Sequence, residues 1–170
     1  MLPKSYVVFK WAVYAAAALL LCAVQSMVLS HIRIFGLAPF LYPVLPAMVA
    51  MFEGARPGAV FGFVFGLLCD LLLPAPFRGF FVLIFPVAAA AAAGVAERLL
   101  SRGLLCGMIV SALALLLTAC LRLVVQILSG GQYLGLMAEI ALGEAVLTLP
   151  AAAAALPLYR AIYRRCAADY

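Results

Sequence analysis

Long apolar stretches alternate with short polar or proline- and glycine-rich breaks along this chain, and that alternation sets its architecture. Six stretches stand out, at 7–29, 37–52, 58–73, 79–96, 104–128 and 135–158. About 20 helical residues, rising 1.5 Å each, cross a hydrocarbon core of about 30 Å. The stretches at 37–52 and 58–73 have 16 residues and fall slightly short. Their flanks or neighbouring helices must make up the difference. The pattern predicts an all-α integral membrane protein, a bundle of six transmembrane helices forming one domain over 1–170.

Two stretches depart from plain apolar helix. The second, "LAPFLYPVLPAMVAMF", carries Pro39, Pro43 and Pro46. Each removes a backbone donor, so this segment is expected to be broken or packed deep among its neighbours. The third carries Gly58, Gly62 and Gly66 and then Asp70 at the same step of four. Four residues advance about 400°, so these positions form one gently spiralling stripe. The glycines suit close helix contact, and Asp70 continues the face that meets protein. The alanine runs "AAAAAAG" and "PAAAAALP" also permit close packing, and no internal repeat is visible.

Composition supports the membrane reading. Of 170 residues, 69% are hydrophobic and 10% charged, against about 45–50% and about 25% in soluble domains. Mean hydropathy is +1.26. The net charge of +5 is scattered between apolar runs, which argues for topology signals rather than nucleic-acid binding. With a cytoplasmic N-terminus, Lys4, Lys10, Arg56, Arg98, Arg102, Arg160, Arg164 and Arg165 fall inside, and only Arg33 and Arg78 fall outside. That asymmetry needs an even number of spans, hence both termini in the cytoplasm. The same basic residues suit anionic lipid headgroups. The first stretch is longer than a signal h-region and no A-x-A site closes it, so it reads as a retained helix.

Candidate chemistry is sparse. Asp70 lies near the C-terminal end of its predicted helix, where the macrodipole disfavours an anion. It therefore needs a cation or several donors, and a pair with Arg122 or Arg78 is expected. Glu139 and Glu144 project about 140° apart on a helix, a poor acid–base pair; one is expected to share Arg122 and the other to face outward or a partner. His31 stands alone in an outer loop. Cys22, Cys69, Cys106, Cys120 and Cys166 form no CxxC and read as small buried hydrophobes. No GxSxG, HExxH or P-loop pattern is present. No metal or cofactor is expected.

The stretch "FEGARPGAVFGFVFGLLCDLL", preceded by "VQSMVLSHIRIFGLAP", resembles the rod shape-determining protein MreD family. Gln25, Ile34-Phe35-Gly36, Pro39, Glu53-Gly54, Gly58, Gly62, Gly66 and Asp70 occupy the family's motif places. The closing "LPAAAAALPLYRAIYRR", with Pro150 and Arg160, is similar to its last helix. Two departures are Phe40, where the family often has Asp or Asn, and a loop after Asp70 that is one residue longer. The resemblance implies a non-catalytic scaffold of the cell-elongation complex in the bacterial cytoplasmic membrane. It would bind the transmembrane helix of MreC, with MreB, RodA and the elongation transpeptidase in the same peptidoglycan-synthesis assembly. The implied fold is similar to the substrate-capture subunits of energy-coupling-factor transporters. Capture of a vitamin or metal for an importer is the alternative function. A lipid-modifying enzyme using Asp70, Glu139 and Glu144 is a weaker third.

Overall fold

The computed structural model describes residues 4–29, 31, 36–74, 77–98, 103–130 and 134–168, without the side chains of 4–7, 134 and 166–168. Helix α1 (Lys4–Val24) runs into a π-helical turn, Gln25–Leu29. Then follow α2 (Val44–Glu53), α3 (Ala55–Leu72), α4 (Phe80–Arg98), α5 (Leu104–Leu128) and α6 (Leu134–Ala168). Among the described residues, five spans are long and apolar enough to cross a membrane: Val8–Leu29, Ala55–Leu72, Phe80–Arg98, Leu104–Leu128 and Gly135–Arg165. The chain is a multi-pass α-helical membrane protein.

The second apolar stretch differs from the expected helix. Only its C-terminal part is helical, and residues 37–43 are not. The prolines explain this. Pro39 and Pro43 have no N–H to give, and Pro43 becomes the N-cap of α2. Pro46 is tolerated because it falls in the first turn, where an N–H would have no intrahelical acceptor. The resulting half-helix is the centre of the bundle: Val44 to Phe52 are all buried, packed among α3, α4, α5 and α6. Gly54 alone joins α2 to α3. Its φ of +98° makes the sharp reversal, and its N–H donates to the Ala50 carbonyl at 2.9 Å.

The glycine stripe lies where backbones meet. A Cβ on Gly58 would collide with Ala50 of α2. One on Gly62 would sit 3.0 Å from the Phe85 carbonyl, and one on Gly66 2.6 Å from that of Phe81, both on α4. Helices α3 and α4 thus run antiparallel in backbone contact. On the facing side, the alanine run of α4 buries Ala88, Ala89, Ala92 and Ala93, so its low complexity is a packing surface. Stacked rings of Phe65 and Phe85 extend the same contact, with centroids 5.9 Å apart. Across the bundle, the fully buried rings of Tyr14 on α1 and Tyr159 on α6 stack at 6.1 Å.

Candidate functional site

Non-helical backbone at membrane depth needs partners, because lipid offers none. Side chains supply them around residues 39–41. Gln25, buried in the π-helical turn, donates from Nε2 to the Pro39 carbonyl at 2.5 Å. Its Oε1 accepts from the Leu41 N–H at 3.2 Å. The intervening Phe40 N–H donates to Thr148 Oγ1 at 2.8 Å. That hydroxyl donates in turn to the Glu144 carbonyl at 2.5 Å. Ser26 Oγ donates to the Cys22 carbonyl at 2.9 Å and lies 3.2 Å from the Tyr42 hydroxyl. One glutamine and one threonine, on opposite sides, thereby hold the unwound segment.

The same segment seats the charges of α5 and α6. Arg122 Nη1 donates to Glu144 Oε2 at 3.4 Å. Its guanidinium lies over the Phe40 ring, 4.1 Å from the centroid, a cation–π contact. Of the two glutamates considered for Arg122, Glu144 is the one engaged, and Glu139 is exposed.

Asp70 does not pair with Arg122 or Arg78. Its Oδ1 accepts from the Phe81 N–H at 3.1 Å and its Oδ2 from the Val82 N–H at 3.0 Å. These are first-turn amides of α4, which have no carbonyl partner within that helix. The antiparallel packing along Gly62 and Gly66 sets the end of α3 beside the start of α4. The positive end of one dipole thus offsets the unfavourable position at the end of the other. Arg78 is exposed in the connecting turn.

At the far end of α3 lies a cluster that sequence reading missed. Lys10 Nζ is 2.6 Å from Glu53 Oε2, and Tyr14 donates to Glu53 Oε1 at 3.0 Å. Lys10 therefore anchors α1 to the end of α2, beyond its value as a topology signal. Arg98, Arg160, Arg164 and Arg165 are exposed as headgroup-facing residues would be. Arg33, Arg102 and the side chains of Lys4 and Cys166 lie outside the described set. Cys22, Cys69 and Cys106 are buried as expected, whereas Cys120 is exposed, because it lines a groove between α5 and α6. His31 is exposed.

That groove has a volume of about 550 Å³ and an almost wholly apolar lining, including Leu116, Ala119, Leu123, Ala138 and Leu142. At one end it meets a smaller cleft of about 230 Å³ that adds Arg122, Gln126 and Glu144. A second groove follows α1 and α3 past Trp11, Arg56, Val60, Val64 and Leu71. Comparison with family models, curated proteins and solved structures returns no match.

The signals for the missed residues were local. Gln25 is an amide just before a proline-broken segment, and Thr148 is a hydroxyl four residues after Glu144 in an apolar run. Glu53 closes an apolar stretch without any basic neighbour in the last turn of its helix.

Proposed function

We propose that this protein is a non-catalytic scaffold of the bacterial cell-elongation complex that binds the transmembrane helix of MreC through its bundle. One observation carries the reading: the residues that bear the MreD resemblance act together. Gly58, Gly62, Gly66 and Asp70 form one continuous contact that fixes α3 to α2 and α4. Gln25 and Pro39 meet in a hydrogen bond. A motif used to hold helices at fixed spacing suits a docking surface.

The chain crosses the bacterial inner membrane six times with both termini in the cytoplasm. The second crossing combines the 10-residue α2 with the seven non-helical residues before it. About 15 Å of that crossing is helix, and the non-helical residues, which turn at 42–43, make up the rest of a core of about 30 Å. MreB, RodA and the elongation transpeptidase are the neighbours this assembly implies. In the alternative reading, capture of a vitamin or metal, polar groups should converge on a ligand cavity. Here Gln25, Asp70 and Thr148 are directed at backbone groups instead.

Co-purification tests the proposal. Full-length MreC should be recovered with this protein from detergent extracts, and MreC without its membrane helix should not. Equal recovery of both forms would refute a helix-mediated contact.

A further inference from the structure

We infer that the groove between α5 and α6 docks a single membrane-spanning helix, which sets a hydrogen-bonding side chain (Ser, Thr, Asn or Gln) against the Arg122–Glu144 pair. This rests on the scaffold reading above and assigns it a contact face.

Ala119, Ala138, Ala141 and Ala145 line the groove beside larger side chains such as Leu113, Leu123 and Leu149. Small residues let a second backbone approach closely. The α1–α3 groove also holds small residues, Ala15 and Ala18, beside Phe61, Val64, Leu68 and Leu71, but no acidic side chain is among its described lining.

Depth and charge then select the occupant. Arg122 lies six residues from the midpoint of α5, and Glu144 six residues from the midpoint of the span Gly135–Arg165. Each is therefore about 9 Å from the centre along its helix, inside a hydrocarbon half-thickness of about 15 Å. Their side chains are 33% and 26% exposed. A lipid presents only acyl chain at this depth, and exposing charge to it is costly. The guanidinium does not extend toward the headgroups but lies over Phe40. The ion pair is neutral overall, so it offers no net attraction to a phosphate. At 3.4 Å the pair leaves donors on Arg122 and the second oxygen of Glu144 available. An amide or hydroxyl, which both gives and accepts hydrogen bonds, complements that set. Gln126 in the same cleft adds a further amide.

The test uses the full chain co-expressed with MreC, with a photo-crosslinking phenylalanine analogue at Leu116 or Leu142 in this groove, or at Val60 or Val64 in the other. Adducts with the MreC helix are expected from Leu116 and Leu142 and not from Val60 or Val64. Ala141→Trp, which fills the groove, should cut MreC recovery about tenfold, equivalent to about 1.4 kcal/mol, while the protein stays monodisperse. The double variant Arg122→Met, Glu144→Leu removes the charges without leaving one unpaired and should also lower recovery. Unchanged recovery with that variant overturns the polar contact. Adducts only from Val60 or Val64, with helix-dependent recovery intact, overturn the groove assignment and leave the scaffold reading standing. Adducts at Leu116 and Leu142 with lipid or a second copy alone also overturn it. Loss of helix-dependent recovery in the unmodified protein removes both.

Discussion

Asp70 lies in the last turn of α3 with its carboxylate held by two first-turn amides of α4. Its helix-end position showed that the anion required a cation or several donors, and the donors are backbone amides eleven and twelve residues on. Residue chemistry alone favours arginine as partner, because backbone N–H groups are at every position and none is marked in the sequence. Asp70→Ala leaves two amides without acceptors and should destabilise by about 1–2 kcal/mol. Asp70→Asn keeps one acceptor oxygen, turns an NH₂ toward the other amide, and should fall between. Thermal unfolding in detergent micelles measures both, and an unchanged midpoint for Asp70→Ala would contradict a capping role. The glycines give a sharper contrast. Gly66→Ala places a methyl against the Phe81 carbonyl and the Val82 backbone, so α4 must shift. Gly94→Ala meets nothing within 4 Å and should stabilise by up to about 1 kcal/mol through helix propensity. Equal effects at the two sites would refute the close approach of α3 and α4.

At the level of elements, apolar length identified most of the helices. The stretch 104–128 coincides with α5, and others differ at their ends by a few residues, where polar flanks continue the helix, most of all beyond residue 158 in α6. The second stretch was the exception. Its prolines signalled a break but not its position, which depends on side chains from α6 and the π-helical turn reaching the freed backbone. Those contacts join residues as far apart as Phe40 and Thr148, beyond the range of local pattern. Gln25→Leu strands the Pro39 carbonyl and the Leu41 N–H, and Thr148→Val strands the Phe40 N–H. Each should cost about 1–3 kcal/mol. Because both hold one segment, the double variant should cost less than the two single losses added. Chemical denaturation of the four proteins in a double-mutant cycle measures this, and strict additivity would mean that the segment is not held as a unit.

For the molecule as a whole, hydropathy revealed the membrane and the charges gave an orientation, but neither could reveal which faces remain open. Helices α5 and α6 leave an open groove lined by alanines and by leucines such as Leu116 and Leu142, a mixture a one-dimensional apolar count cannot separate from core. The proposed orientation has a direct check: a fluorescent protein fused to the C-terminus should fluoresce, and alkaline phosphatase fused after Arg78 should be active. A dark C-terminal fusion together with an inactive one at Arg78 would reverse the topology. The backbone contact between α3 and α4 also bears on biogenesis. Its partners are near in sequence, with Asp70 and Val82 only twelve residues apart, so this hairpin can close before α5 leaves the ribosome. The short α2 emerges first and, too short to stay in lipid unaided, would gain a wall to lean on as soon as the hairpin behind it closes.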